Sequence, residues 1–241
     1  MRLTVLGAGT LVPDDTRRSP AHLLEAQGTR LLFDCGSGAL HGMSRHGVAW
    51  EGISHVALTH FHPDHLGDLA PHLFALKWGI RPPRTEPLGI LGPPGVRERM
   101  DALAGAFGSF VQDPGFPVDV MELARRGTWR DPGGRFALRT FPTPHTETSV
   151  AYRFEGARGS FGYTGDTGPS EALGEFLRGV DVLIWECSLP DPVDVEGHLG
   201  PRDAAALARV PSYLGRISAV VIAPGLMSQV WSTWSGVTWT R

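Results

Sequence analysis

The sequence predicts an α/β fold, and three observations predict it. Short apolar runs that suit strands alternate along the chain with stretches whose apolar residues recur at helical spacing. Clusters rich in Gly and Pro fall between these runs, where turns belong. A dense histidine loop opens directly after a buried strand, at the C-terminal strand end where α/β folds carry their sites.

The elements follow in order. Leu3 to Leu6 reads as a strand, Gly7-Ala8-Gly9-Thr10 as a turn, and Ala21 to Glu25 and Arg30 to Asp34 as further short strands. The Gly7-Ala8-Gly9 stretch is not a dinucleotide-binding turn, because Val12 stands where a third glycine is needed and no amphipathic helix begins there. A helical segment over Gly38 to Arg45 precedes the strand Val56 to Thr59, and Leu66 to Trp78 reads as one helix with Leu69, Leu73 and Leu76 on its apolar face. A short strand, Leu88 to Leu91, and a helix from Gly95 to Phe110 come next. Later strands are read at Val118 to Leu123, Arg135 to Phe141, Ser149 to Glu155, Gly159 to Tyr163, Val180 to Glu186 and Ala219 to Ala223. Helices are read at Ser170 to Leu177 and at Pro201 to Ala208, the latter with proline in its first turn and Asp203 near its positive end. No repeat or linker divides the chain, so one domain over residues 1–241 is expected.

Composition narrows the function. A length of 241 residues, 41% apolar and 20% charged, allows a core that needs no disulfides. The net charge of -3 supplies no overall basic field, which argues against stable nucleic-acid binding but leaves room for a local arginine patch. Cys35 and Cys187 are far apart in apolar runs and read as buried free thiols. No apolar stretch has the length of a membrane span, and Met1 leads straight into a strand, so a cytoplasmic, membrane-free protein is expected.

The chemistry is concentrated in Thr59-His60-Phe61-His62-Pro63-Asp64-His65-Leu66-Gly67-Asp68. Imidazole nitrogen and carboxylate oxygen are the donors that Zn²⁺ takes when thiolates are absent. Alternate residues of an extended loop point the same way, so His60 and His62 can share one ion while the next turn presents Asp64 and His65 to a second.

This pattern resembles the metallo-β-lactamase-fold hydrolases, whose signature is His-x-His-x-Asp-His after a buried strand. Leu32-Phe33-Asp34-Cys35-Gly36 resembles the family's second-strand element, with Asp34 supporting the metal loop from behind. Pro144-His145-Thr146, followed by Ser149 and Tyr152, looks like the third metal motif, and Tyr163-Thr164-Gly165-Asp166-Thr167-Gly168-Pro169 is similar to the ribonuclease Z branch. The resemblance implies a four-layer αββα sandwich with His60, His62 and His145 on one ion, Asp64 and His65 on the other, and Asp166 bridging. It implies a zinc pair, with Mn²⁺ or Fe²⁺ as substitutes, and hydrolysis of small phosphodiester substrates by a metal-activated hydroxide that Asp64 orients. His198 in Gly197-His198-Leu199-Gly200-Pro201 resembles the histidine that protonates the leaving group or stabilises the transition state. By analogy a homodimer is also implied. His22, His41, His46, His55 and His72 have no motif support and read as structural or solvent-facing.

Two features depart from the family pattern. The strand Ala219 to Ala223 runs into Pro224, where the family usually places a histidine on the second ion. That ion is then held by fewer protein ligands, or takes His198 in its place, or binds weakly. The tail Leu226 to Arg241, with Trp231, Trp234 and Trp239, is also atypical and reads as an altered terminus or an aromatic cover over the site mouth or a subunit contact. Only a short hairpin separates His145 from Asp166, too little for the tRNA-binding arm, so tRNA 3′-end processing is the second reading. Lactone or β-lactam hydrolysis and a metal-binding protein with little catalysis are the remaining ones.

Overall fold

The computed structural model describes residues 1–13, 15–189, 192, 194–209, 219–224 and 230–232, with side chains followed as far as residue 206. It contains two compact units, one formed by Arg2–Glu122 and the other by Met1 with the described residues from Leu123 onward.

In the N-terminal unit the sheet order matches the chain order: β1 (Arg2–Gly7), β2 (Ala21–Ala26), β3 (Thr29–Phe33), β4 (His55–Ala57), β5 (Leu88–Gly92) and β6 (Val118–Glu122). The first three pair antiparallel, and β3 to β6 pair parallel. Parallel neighbours need crossovers, and these contain α1 (Ala39–Arg45), α2 (Pro63–Leu66), α3 (Leu69–Trp78) and α4 (Val96–Phe107). Every residue of β4 and β5 is buried, which explains why they read as apolar runs without alternation. Leu32, Val56 and Ile90 of the sheet share one core with Met43, Leu73, Leu76 and Met100 of the helices.

The single helix expected over Leu66 to Trp78 is two helices, broken at Gly67-Asp68. The Asp68 N–H donates to the Cys35 carbonyl at 2.9 Å, and its Oδ2 accepts the Leu40 N–H at 3.0 Å. A side chain at Gly67 would collide with the Ser37 hydroxyl. The break therefore pins the histidine loop against the segment after β3. The helix expected to reach Phe110 stops at Phe107, where Gly108 takes a φ of 118° and a short 3-10 turn over Ser109–Val111 follows.

The C-terminal unit has the sheet order β13 (Val230–Ser232), β12 (Ala219–Pro224), β11 (Val182–Cys187), β10 (Gly159–Tyr163), β9 (Val150–Gly156), β8 (Phe136–Pro142), β7 (Gly127–Arg130). Strands β7 to β10 form an antiparallel meander, β10, β11 and β12 run parallel, and β13 returns antiparallel. Helix α5 (Glu171–Leu177) is capped by Ser170, whose Oγ accepts the Leu173 N–H at 3.2 Å, and α6 (Pro201–Arg209) follows the Gly197-His198 turn. Ala151, Leu183 and Trp185 pack with Leu173, Leu177 and Leu199. Strand β7 was not expected. It is a half-exposed edge, Gly-Thr-Trp-Arg, with no apolar run to announce it.

Pro224 closes β12 opposite Cys187. Trp231 lies in β13, whereas Trp234 and Trp239 lie outside the described residues. Both cysteines are buried free thiols, as expected. No helix among the described residues is long and apolar enough to cross a membrane.

Candidate metal centre

The predicted site residues are divided between the two units. His60, His62, Asp64 and His65 belong to the N-terminal unit, and His145, Asp166 and His198 to the C-terminal one.

In the N-terminal unit, parallel register sets Phe33 beside Ala57 and brings the ends of β3 and β4 to one edge. Asp34 has a φ of 55°, a conformation Asp tolerates better than most residues. Its buried carboxylate faces the loop. Oδ1 accepts the Thr59 N–H at 2.8 Å, and Oδ2 accepts the Thr59 hydroxyl at 2.9 Å and lies 2.7 Å from His65 Nδ1. The Thr59 hydroxyl owns one proton. Given to Asp34, it leaves the oxygen to accept from His60 Nδ1, 3.0 Å away. The network thus assigns the proton to Nδ1 of both His60 and His65 and a lone pair to each Nε2. A carboxylate behind an imidazole is how proteins orient metal-ligating histidines.

The coordinating edges of the loop lie close together. His60 Nε2 is 3.1 Å from His62 Nδ1, the ring centroids of His60 and His65 are 4.1 Å apart, and His65 Nε2 is 3.8 Å from Asp64 Oδ2. Gly36 makes this packing feasible, since a methyl group there would be driven into the Asp64 and Pro20 carbonyl oxygens. Cys35 is no competing ligand. Burial, then Asp68 and Asp34, raise its thiol pKa well above the usual range.

In the C-terminal unit the parallel pair β10 and β11 plays the same part, with Tyr163 in register with Ile184. Asp166 follows β10 through Gly165, whose φ of 57° turns the chain. The Asp166 carbonyl accepts the Thr143 hydroxyl at 3.0 Å. His145 Nδ1 donates to the Gly197 carbonyl at 3.0 Å, which puts the lone pair on Nε2, 3.8 Å from Asp166 Oδ2. His198 Nδ1 lies 4.0 Å from the same oxygen, and the two imidazole centroids are 4.7 Å apart. The spacing of His145 Nε2 and Asp166 Oδ2 is one that two ligand atoms of a single Zn²⁺ can keep, because each sits about 2 Å from the ion. The donor set fits a borderline cation: imidazole nitrogens with fixed tautomers and carboxylate oxygens.

Sequence reasoning placed Glu186 in a strand and gave it no role. Its Oε1 lies 2.6 Å from His198 Nδ1 and accepts the Ser188 hydroxyl at 2.7 Å, while Oε2 accepts the Thr167 N–H. Asp166, Glu186 and His198 each offer a donor atom within 4.8 Å of the others. Burial pushes the Glu186 pKa up and Asp166 adds to that, against the lowering by its bonds to His198, Ser188 and Thr167. The available signal was a carboxylate inside the otherwise apolar Val182-Leu183-Ile184-Trp185-Glu186-Cys187.

The histidines without motif support are placed elsewhere. Burial, then the charge of His65, lowers the His22 pKa to about 3, and burial lowers that of His72 to about 4. His55 Nδ1 lies 3.0 Å from Ser54 Oγ, and His41 is exposed on α1.

Residues 29–211 match the model of the beta-lactamase superfamily domain. The chain belongs to the beta-lactamase superfamily. Within it the chain is 33% identical over 209 residues to a ribonuclease Z of Mycobacterium sp. (strain KMS), covering 81% of this chain and 71% of that one. It superposes on the metallo-beta-lactamase fold protein YhfI from Bacillus subtilis with a TM-score of 0.77 at 22% identity, over 94% of this chain and 87% of the other. The short form of human tRNase Z gives a TM-score of 0.75 at 24% identity, over 92% and 91%. These superpositions show the metallo-β-lactamase fold, as the motifs led one to expect. The superfamily member is a ribonuclease Z-like hydrolase, and proteins of this fold typically bind metal ions.

Proposed function

We propose that the protein is a dinuclear metal-dependent phosphodiesterase of small substrates, with both units in one hydrolase domain over residues 1–241. The observation that carries this reading is Asp166, whose Oδ2 lies 3.8 Å from His145 Nε2 and 4.0 Å from His198 Nδ1. An aspartate in that place marks the phosphodiester-cleaving branch that the motifs resemble.

In this reading His60, His62 and His145 would hold one ion and Asp64 and His65 the other, with Asp166 serving as a ligand to both. Four imidazoles among the donors favour zinc over the harder Mn²⁺, with Fe²⁺ as a substitute. The second ion would have the poorer protein ligation, because Pro224 at the end of β12 brings no side-chain donor. When bound, the ions supply acidification of a water and neutralisation of charge on the phosphoryl oxygens. The remaining work falls to side chains. Asp64 orients the attacking water and accepts its proton. His198, with Nδ1 directed to Glu186, presents Nε2 to the leaving oxygen and protonates it.

The test is turnover of a chromogenic phosphodiester, a lactone and a cephalosporin by metal-loaded protein and by His62→Ala and Asp166→Ala. Diester turnover lost in both variants supports the reading, and turnover confined to the lactone or cephalosporin sinks it. The ribonuclease Z relative favours a second reading, tRNA 3′-end cleavage. Against it stands the turn Ala157-Arg158, which joins β9 to β10 without an inserted arm. Cleavage of a tRNA precursor faster than of the small diester would select that second reading.

A further inference from the structure

The C-terminal unit has a groove of about 660 Å³, lined by residues of β7, β8, β9 and α5 and by Arg126 just before β7. That volume is within the range of about 300–1,000 Å³ usual for small-molecule sites. Arg139 of β8 stands in register with Arg153 of β9, and both line the groove. Two arginines directly opposite each other on antiparallel strands are a pairing that sheets avoid without a reason.

Part of this charge is already matched. Arg153 Nε donates to Glu155 Oε1 at 2.8 Å, and its Nη1 donates to the Phe176 and Arg178 carbonyls at 3.1 and 2.7 Å. Glu175, the one carboxylate that lines the groove, is paired with Arg178. Arg139 reaches the same Glu155 oxygen only at 3.5 Å, and Arg126 has no carboxylate partner among the described residues. Four guanidiniums thus share two carboxylates, and the excess of two positive charges falls on Arg126 and Arg139. An arginine keeps its charge throughout the physiological pH range.

Both guanidiniums are held over aromatic rings. Arg126 lies over the Phe141 ring at 4.0 Å, Phe141 stacks on Phe176 at 5.0 Å with 23° between the planes, and Arg139 lies over Phe176 at 5.6 Å. Stacking engages the flat face of a guanidinium and leaves the N–H groups in its plane for an anion. The Thr140 hydroxyl donates to the Ala124 carbonyl at 2.6 Å and fixes the turn that carries Arg126. Side chains held in place beforehand lose less freedom when a ligand arrives. Flat guanidinium and aromatic surfaces also suit a nucleobase.

We propose that this groove binds a nucleoside monophosphate. A phosphate monoester carries about two negative charges at neutral pH, which matches the excess, and the N–H forks of Arg126 and Arg139 suit its oxygens. The base lies against the tier of guanidiniums and rings. A long polyanion fits less well, because the groove's excess is only two charges on a chain whose net charge is -3. The proposal does not depend on the phosphodiesterase reading, since binding is measured without turnover.

The experiment is calorimetric titration of the metal-loaded protein with AMP, adenosine, ribose 5-phosphate and hexathymidylate. AMP is expected to bind about tenfold more tightly than adenosine or ribose 5-phosphate, each of which lacks one half of the contact. Arg126→Gln and Arg139→Gln remove exposed guanidiniums and spare the core, and each should weaken AMP about tenfold. Arg126→Lys keeps the charge but loses the fork and the stack, so it should weaken AMP to a smaller extent. Absence of AMP binding, or equal binding of AMP and ribose 5-phosphate, overturns the proposal. So does an AMP affinity unchanged in both glutamine variants, which would place the nucleotide elsewhere on the protein. Hexathymidylate bound more tightly than AMP and weakened by the same substitutions would put a single strand in the groove and overturn it as well.

Discussion

His198 Nδ1 lies 2.6 Å from Glu186 Oε1, inside a carboxylate environment closed by the Ser188 hydroxyl and the Thr167 N–H. The pairing holds Nδ1 on the carboxylate and so fixes the imidazole in one tautomer. Glu186→Gln keeps the shape but lets the amide offer a donor to Nδ1, so the ring loses its defined orientation. Diester kcat should fall by about 10–100-fold with bound metal retained. Steady-state kinetics with metal analysis checks this, and unchanged kcat would remove Glu186 from the account.

Asp34 anchors both His65 and Thr59 from a fully buried position. Asp34→Asn cannot accept from Thr59 and His65 at once with the same strength and places an amide donor against the imidazole. Stability should drop by about 2–4 kcal/mol, and metal affinity by about 10–100-fold. Urea denaturation and a competitive chelator titration measure the two losses.

Gly36 is held flush against the Asp64 and Pro20 carbonyl oxygens. Gly36→Ala forces backbone apart at the point where the loop is braced, so the expected cost is about 1–3 kcal/mol together with loss of most turnover. A thermal melt and a diester assay on the same sample test the pair of effects, and wild-type values in both would contradict the packing described.

His72 is buried on α3 with its pKa lowered from 6.5 to about 4. Above pH 6.5 both folded and unfolded chains hold it neutral, so its contribution is flat there. As pH falls from 6.5 towards 4, only the unfolded chain takes up the proton, and stability is lost; below about 4 the loss levels off. The full effect is about 3 kcal/mol. Urea midpoints at pH 7.5 and pH 4.5 should diverge in the wild type and diverge less in His72→Gln.

The histidine loop was legible because its donors are contiguous and their spacing is itself the signal. Asp166 and His145 were readable only through the order of motifs, since each alone resembles a turn residue. Glu186 was hidden by its setting: a strand buried on both faces shows one acidic residue, and its purpose depends on His198, twelve positions on and across a turn. The helix break at Gly67-Asp68 was masked by apolar spacing that continues through it, because the Cys35 carbonyl and Leu40 N–H that disrupt the helix come from distant sequence. Strand β7 escaped because an exposed edge needs backbone partners and little hydrophobicity.

The central claim is that hydrolysis of a phosphodiester depends on metal held by these histidines and aspartates. The most direct measurement is turnover of bis(p-nitrophenyl) phosphate before chelation, after removal of metal, and after titration with Zn²⁺, in wild type and in Asp166→Ala. The account predicts turnover that disappears with the metal, returns with added zinc, and stays absent in the variant. Turnover that survives chelation, or zinc-loaded wild type without diester activity, would contradict it.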